Sequence, residues 1–455
     1  MMSRRPLLCR VLCCVLVGPG CAPELVEDAA LEGPFGVRDG FLVDAHNGRL
    51  LLRGANLSQT AKAAPHHPIE LEGEGRALLA AHGPMAIRYL TSWAAIEPED
   101  GVLDGEYLAG LAERVRALAD DGHLVVLDLH QDLFGVGFPG ANGAPRFACD
   151  ESAYAAFTPE SPWFRNYYDP AVQGCFDALF GDETRLRQMA RALRAAVDAV
   201  QAAAPSALVG VDLINEPHPG SRTPGAFDVL LARYHAIAAE ELGGAGVVLL
   251  FEPNVLHNLG EPTTVTAAPS LSSAFAPHLY PADVELGRYA DVSALAGMLA
   301  SDAAEAAALG VPLVIGEYGP QLDDPAAVSF VEDVLAILDE SFTGALSWDW
   351  SAASDRGLLA DGAEAVRKAE VRPHARRVAG RVTRHHFDPA SATLEVTWQS
   401  DDASGATEIV SGGWGAPEIV ELSDGEAVFD GRVLRVRPSA HAPAHRVVVA
   451  FDDGG

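Results

Sequence analysis

Short runs of β-branched and leucine residues alternate with longer amphipathic stretches from about residue 50 to about residue 350. This alternation is typical of repeated strand–helix units around a parallel sheet. Clear amphipathic helices are predicted at 108–120, 185–203, 227–242 and 326–338. Buried strands are predicted at 50–55, 85–90, 124–130, 208–215, 247–252, 274–280, 313–317 and 345–350. A doubly wound open sheet gives the same alternation, but the count of eight strands favours a closed α/β barrel, the (β/α)8 or TIM barrel.

The pattern changes after residue 373, where short alternating strands with Gly, Asp and Ser turns replace the strand–helix repeat. Strands of this kind are predicted at 392–399, 407–410, 419–422 and 431–436. We therefore predict a barrel over 35–372 and a small C-terminal β-sandwich over 376–452. The connection 131–183 after the third barrel strand is unusually long and rich in Gly, Pro and aromatic residues, which is typical of a loop that shapes a site.

The chain has 63 acidic and 32 basic residues and a formal net charge of -31. A surface of this sign repels phosphate backbones and anionic lipid surfaces, so we expect no nucleic-acid partner. The acidity alone indicates solubility and no particular binding role.

The first 21 residues resemble an export signal. Arg4, Arg5 and Arg10 precede a short apolar run that ends in small residues before Cys21. This run is shorter than the roughly 20 apolar residues that span a bilayer, and no later segment approaches that length. We therefore expect a protein outside the cytoplasm, either secreted or lipid-anchored through Cys21.

Two cysteines remain in the body of the chain once the predicted signal is set aside. Cys149 and Cys175 flank an aromatic-rich part of the long connection, and their spacing does not suit a zinc site. In an oxidising compartment they predict a disulfide that staples this loop. Two independent buried thiols are the alternative.

Two glutamates end predicted strands that face each other across the barrel: Glu216 in VGVDLINEP and Glu317 in PLVIGEYG. Side chains at the carboxyl ends of barrel strands project into the active-site mouth. Glycoside hydrolysis needs two carboxyl groups, one to protonate the leaving oxygen and one to attack the anomeric carbon or to activate water. The structural alternative for each glutamate is a helix cap or a partner for an arginine.

Other residue types near the predicted strand ends fit a sugar site. Asn215 can donate to a sugar 2-hydroxyl, and Arg88 and Tyr280 can bond the Glu317 carboxylate and keep it ionised while a less solvated Glu216 keeps its proton. Trp348 offers a flat face to a sugar ring. Trp350 lies two residues further on and competes for that role, since alternate residues of a strand share a face.

His130 and His278 also end predicted strands. Each one alone is more simply a structural histidine than a catalytic base. As members of the set, both are expected to line the sugar site.

The motifs IRYLTSWAAIEP, LDLHQD, INEP, HLY, IGEYG and SWDW resemble glycoside hydrolase family 5 of clan A. The segments HQDLFG, GCFDALF and RPHARRVAG are similar to its endoglycoceramidase branch. The resemblance covers about 35 to 452. It implies that Glu216 is the acid/base and Glu317 the nucleophile of a retaining β-glycosidase, and that Lys62 and Asp132 contact the sugar. Lys62 departs from the expected spacing, and a solvent-facing lysine is its alternative.

The resemblance implies cleavage between glycan and ceramide of glycosphingolipids, with possible contact with a membrane or micelle surface. The aromatic residues Phe134, Phe138, Trp163 and Phe164 then either wall a ceramide cleft or form plain loop core. The alternatives are another family 5 β-glucanase or β-glucosidase acting on polysaccharide or a sterol glucoside, and a carbohydrate-binding protein without catalysis. The carboxylate mechanism needs no metal or other cofactor, and we predict none.

Overall fold

The computed structural model describes residues 31–452 except 64, 65 and 72, so the predicted export signal and Cys21 lie outside the described residues. The strands are β1 (Gly36–Arg38), β2 (Phe41–Val43), β3 (Arg49–Leu50), β4 (Arg53–Leu57), β5 (Ala86–Thr91), β6 (Leu124–Leu129), β7 (Leu208–Asp212), β8 (Val248–Phe251), β9 (Ser273–Phe275), β10 (His278–Leu279), β11 (Val314–Tyr318), β12 (Gly344–Ser347), β13 (His374–Val378), β14 (Arg381–Asp388), β15 (Thr393–Gln399), β16 (Thr407–Val410), β17 (Pro417–Leu422), β18 (Glu426–Phe429), β19 (Val433–Arg437) and β20 (Ala444–Phe451).

The helices lie mainly between the barrel strands. They are α1 (Gly73–His82), α2 (Trp93–Ile96), α3 (Gly105–Asp120), α4 (Glu151–Ala156), α5 (Pro170–Gly181), α6 (Glu183–Ala203), α7 (Pro224–Glu241), α8 (Ala282–Glu285), α9 (Val292–Leu309), α10 (Ala327–Ser341) and α11 (Glu364–Glu370). Short 3-10 helices occupy Gln59–Lys62, Arg146–Ala148, Trp163–Tyr168 and Val255–Leu259.

The parallel sheet closes into the predicted barrel. Strands β4 to β8 pair in sequence order, and β11 and β12 complete the circle back to β4. The sixth barrel strand is interrupted at Ala276 and Pro277, so that its first half, β9, pairs with β8 and its second half, β10, pairs with β11. The fold class predicted from the sequence is therefore confirmed.

The interior of the barrel below the site is apolar. Residues such as Val126, Leu250 and Leu346 fill it, and Phe35 and Leu50 close its lower end. The outer helices pack by one face, as in α6, where an Asp182 cap opens the helix and the buried residues recur at helical spacing. The polar residues at the strand ends therefore lie on top of a closely packed apolar core.

The C-terminal region is a sandwich of two antiparallel sheets. One sheet has the order β14-β15-β20-β17, and the other has the order β1-β2-β3-β13-β16-β19-β18. Residues from both sheets, including Trp398, Val436 and Val449, form the core between them. The described chain thus contains a β-sandwich beside the barrel, as predicted.

The sandwich also takes in three strands from the start of the described chain. Strand β3 pairs with β13, and the Arg377 guanidinium donates to the buried Asp44 carboxylate at 2.6 Å. The first barrel strand therefore begins at Arg53 and not at residue 50, as the sequence predicts, because Leu50 belongs to a strand of the sandwich. A second buried contact joins the two parts, where Asp339 of α10 accepts from Arg53 at 3.0 Å and lies 3.2 Å from His385 of β14.

Among the described helices, α9 is long and apolar enough to cross a membrane by length and composition. The sequence prediction had found no such segment. The helix is one of the outer barrel helices, and its buried residues Leu295, Leu299, Asp302 and Ala306 form a single stripe. The buried carboxylate in that stripe, Asp302, lies 2.9 Å from His257 Nε2, so this face of the helix points into the protein.

Candidate active site

Glu216 and Glu317 come together at the carboxyl end of the barrel. Glu317 lies in β11, and Glu216 follows β7 with a left-handed backbone, φ 41°. One carboxylate oxygen of each residue and a ring nitrogen of His278 all lie within 4.8 Å of one another. Two carboxyl groups therefore face the same small volume, as the sequence predicted.

Arg88 of β5 holds the Glu317 carboxylate from below. The arginine is fully buried, and its Nη1 lies 2.6 Å from Glu317 Oε1. It also donates to the side-chain oxygens of Asn56 and Asn215 at 2.9 Å. Burial alone would lower the pKa of Arg88, but the surrounding carboxylates raise it well above its usual value, so the guanidinium stays charged.

Tyr280 and His278 approach Glu317 from the sixth barrel strand. The Tyr280 hydroxyl donates to Glu317 Oε2 at 3.2 Å, and His278 Nδ1 lies 3.6 Å from the same oxygen. Burial raises the pKa of Glu317, with His278 and Arg88 opposing the rise and the neighbouring Glu216 adding to it. The expected contacts of Arg88 and Tyr280 are thus present, but they do not prevent a raised pKa of Glu317 as the sequence analysis assumed.

His278 bridges the two glutamates. Its Nδ1 lies 2.9 Å from Glu216 Oε1, and its Nε2 lies 3.2 Å from Glu252 Oε1. Burial lowers the pKa of His278, but Glu252 and Glu317 outweigh this effect and raise it well above its usual value. A charged imidazolium at this position balances part of the negative charge of the carboxylates.

A second group lies beside Glu216 and Glu317 and consists of Lys62, Asp132, His130 and Trp348. The Lys62 ammonium lies 2.9 Å from Asp132 Oδ2 and 4.2 Å from the centre of the Trp348 ring. His130 stacks on Trp348 with ring centres 5.6 Å apart. Burial raises the pKa of Asp132, but Lys62 and His130 lower it well below its usual value, so the carboxylate is ionised. The Lys62 side chain, although 32% exposed, thus points into the site and is ion-paired there.

Asn215 precedes Glu216 and is fixed on both sides. Its Oδ1 accepts from Arg88, and its Nδ2 donates to the Gln131 carbonyl at 3.1 Å. Gln131 in turn donates to the carbonyls of Asn215 and Glu216 at 2.9 Å. One N–H of the Asn215 amide then remains for a ligand, since the group has two.

The expectation for Trp350 needs correction, whereas Phe134 and Phe138 follow the loop-core alternative of their prediction. Trp350 does not compete with Trp348, because β12 ends at Ser347 and strand alternation no longer applies; the Trp350 ring is buried and donates to the Gly75 carbonyl at 3.1 Å. Phe134 and Phe138 are also fully buried, as loop core.

Further polar residues of the site were not predicted from the sequence. Glu252 follows β8 and accepts from the Glu216 backbone N–H at 2.7 Å, while Asn258 donates to Glu216 Oε1 at the same distance. Asp128 and Asp212 lie 2.8 and 3.0 Å from Arg88 Nη2. Glu252 ends a predicted strand, as Glu216 and Glu317 do, so the same signal was available for it.

Two groups of side chains have ligand atoms close enough to hold a metal ion: Asp212, Glu252 and His278, and Glu216, His278 and Glu317. Arg88 lies against the first group, and Asn258 donates to the second. Arg88 and Asn258 thus already occupy one carboxylate oxygen in each group. The expectation of no cofactor stays a prediction.

The long connection after β6 lies beside Glu216. A disulfide joins Cys149 to Cys175 of α5, with Cα atoms 5.4 Å apart, which is the predicted pairing. Tyr167 stacks on His218, two residues after Glu216. The loop also exposes large aromatic side chains: Trp163, Phe164 and Tyr168 are 54%, 51% and 62% exposed.

The barrel carries two opposed carboxylates at its strand ends, an arginine that holds one of them, and a tryptophan ring beside them. This combination is typical of a glycoside hydrolase. The family model described as cellulase, glycosyl hydrolase family 5, matches residues 52–354, and that of the family 5 C-terminal domain matches residues 372–449. The chain belongs to glycoside hydrolase family 5.

Individual relatives refine this assignment. Endoglycoceramidase I of Rhodococcus hoagii is 31% identical over 445 residues, covering 91% of this chain and 85% of that protein. Endo-glycoceramidase II from Rhodococcus sp. in complex with ganglioside GM3 superposes with a TM-score of 0.82 at 27% identity, covering 91% of this chain and 99% of the other. Its lactosyl-enzyme intermediate superposes with a TM-score of 0.79 at 27% identity, covering 90% and 99%.

Proposed function

We propose that this glycosidase cleaves the β-glycosidic bond between glycan and ceramide in glycosphingolipids and retains the anomeric configuration. Similarity to Endoglycoceramidase I along 91% of the chain supports the substrate class. The relative solved with ganglioside GM3 and as a lactosyl-enzyme intermediate supports both the lipid substrate and a covalent route.

The observation that carries the mechanism is the approach of Glu216 and Glu317 oxygens to within 4.8 Å. Retaining glycosidases hold their carboxyl groups about 5 to 5.5 Å apart, whereas inverting enzymes need roughly 6.5 to 9.5 Å to admit a water. The short separation therefore favours double displacement.

In the first step Glu317 attacks the anomeric carbon, and Glu216 transfers its proton to the departing ceramide oxygen. In the second step Glu216 takes a proton from water as the water oxygen bonds to the anomeric carbon and the bond to Glu317 breaks. Arg88 and Tyr280 orient the Glu317 carboxylate for attack. We assign contacts with the glycan to Lys62, Asp132 and Trp348, which lie together, and a contact with the 2-hydroxyl of the reacting sugar to Asn215.

We propose that the loop after β6 binds the ceramide part of the substrate. Trp163, Phe164 and Tyr168 are more than half exposed near His218, and an exposed aromatic group of this kind fits an acyl or lipid surface. The net charge of -31 disfavours anionic lipids, so the expected surface is uncharged or zwitterionic. Such a substrate, together with the signal-like first 21 residues, supports action outside the cytoplasm.

The test is incubation of the protein with a panel of gangliosides, neutral glycosphingolipids, a sterol glucoside and soluble β-glucans. We expect release of intact glycan and ceramide, and none with Glu317→Gln. In the wild type, a mechanism-based 2-fluoro sugar should label Glu317. Release of sugar from glucans or the sterol glucoside alone would reject the lipid proposal, and labelling of another carboxylate would reject the assigned roles.

A further inference from the structure

The two oxygens of the Glu216 carboxylate have different surroundings. Oε1 accepts from Asn258 Nδ2 at 2.7 Å and lies 2.9 Å from His278 Nδ1. In the described part of the chain, Oε2 has no hydrogen-bond partner. The side chain is 13% exposed, so the carboxylate reaches the open mouth of the barrel.

Asn258 comes from a firmly held turn. It lies in the 3-10 helix Val255–Leu259, where the Asn254 side chain caps the first residues and also donates to Asp228 at 2.8 Å. The adjacent His257 is fixed on both ring nitrogens, by Asp302 at 2.9 Å and by the Glu261 carbonyl at 2.8 Å. Asn258 itself is 6% exposed. Its amide is therefore aimed at Glu216 before any substrate binds.

We propose that Asn258 is a positioning residue that, together with His278, occupies Oε1 of Glu216 and so makes Oε2 the oxygen that carries the proton in both steps. This proposal rests on the proposed function. The two N–H groups use the two lone pairs of Oε1, and a proton on that oxygen would displace one of them. An O–H on Oε2 keeps both bonds and meets no donor.

The proton balance follows from this geometry. Oε2 gives its proton to the glycosidic oxygen as the bond from that oxygen to the anomeric carbon breaks and the bond to Glu317 forms. Oε2 then takes a proton from water while the water oxygen bonds to the anomeric carbon and Glu317 leaves. Asn258 neither gains nor loses a proton in either step, since an amide does not titrate at working pH.

Several other titratable groups share the surroundings of Glu216. They are His278 on β10, Glu317 on β11, Glu285 on α8, Glu252 after β8, Tyr280 after β10 and Tyr167 in the 3-10 helix Trp163–Tyr168. A substitution at residue 258 changes the identity of none of these groups. A change of pH profile on substitution there therefore reports the contact from Asn258.

The test uses the full-length protein and two aryl β-glycosides that differ in leaving group. In Asn258→Leu, the ionised form of the acid/base loses a donor, so the alkaline limb of the kcat/KM profile should move to higher pH. Asn258→Asp introduces a like charge and should move it further. The kcat/KM for the poor leaving group, which reports the first step alone, should fall about tenfold or more, part of the roughly 10²–10⁴ that general acid catalysis supplies, with little change for the activated phenol.

Leu259→Ala is the matched control, since Leu259 lies in the same 3-10 helix and its side chain is 59% exposed. It should leave both limbs in place. An unmoved alkaline limb in both Asn258 variants, or an equal loss on both leaving groups, would overturn the proposal. Both measurements use soluble aryl β-glycosides, so their outcome does not depend on whether ceramide is the natural aglycone. A wild-type protein that is inactive on both aryl glycosides would instead reject the proposed glycosidase activity.

Discussion

The hydroxyl of Tyr280 offers the most direct test of how Glu317 is prepared for attack. The change Tyr280→Phe removes one hydrogen bond to Glu317 Oε2 and leaves the ring, which packs 5.1 Å from the Arg356 guanidinium. Burial and the Glu317 charge raise the pKa of Tyr280 well above its usual value, so in the wild type the hydroxyl remains a donor across the working range. The substitution therefore removes a contact without introducing a new charge.

The size of the effect follows from the contact length. Hydrogen bonds to charged groups contribute about 1.5 to 3 kcal/mol. The 3.2 Å separation is longer than the usual 2.7 to 2.8 Å for O–H···O, so the lower end applies, and about 1.4 kcal/mol corresponds to tenfold in rate. We expect kcat/KM on an aryl β-glycoside to fall roughly tenfold, and not further, because Arg88 still holds Oε1 at 2.6 Å.

The pH profile supplies a second readout. The nucleophile is active when ionised, and loss of a donor disfavours the ionised form, so the acid limb of kcat/KM should move to higher pH. The rate of inactivation by a 2-fluoro sugar should fall in proportion. Tyr289→Phe is a matched control, since it loses a 2.8 Å hydroxyl bond to Asp333 outside the site. Unchanged inactivation and an unmoved acid limb in Tyr280→Phe would refute this account of Glu317.

Two further predictions concern the disulfide-linked loop after β6 and the buried Glu370 of α11. Changing Cys149 and Cys175 to Ser should loosen the connection after β6 and reduce turnover of lipid substrates more than that of aryl glycosides; equal losses would separate the loop from the aglycone side. Burial raises the pKa of Glu370 to about 8, so the folded state keeps a proton that the unfolded chain loses above about 4.5. Stability should therefore fall as pH rises from about 5 to 8, and Tm in Glu370→Gln should depend less on pH; an identical slope would contradict this.

Much of the barrel was predictable because its signal is local. Alternating strands and helices fix the count of eight, and an acid at a strand end, as in Glu216 and Glu317, is visible in a single motif. Asn258 carries no such signal, because it lies in a short turn between two elements and its partner is 42 residues away. Strand β3 illustrates the same limit, since its sequence shows a strand but not which of two sheets it joins.

The pairing of the first strands with β13 also has a consequence for how the chain is made. Arg377 and Asp44 are separated by 333 residues, so at typical synthesis rates of 5 to 20 residues per second the N-terminal strands wait on the order of half a minute for their partner. During that time Phe35 and Leu50, which close the lower end of the barrel, have no sandwich to fix them. We expect nascent chains truncated before residue 374 to bind chaperones and to aggregate when released, since the first strands then lack β13, the strand with which they pair.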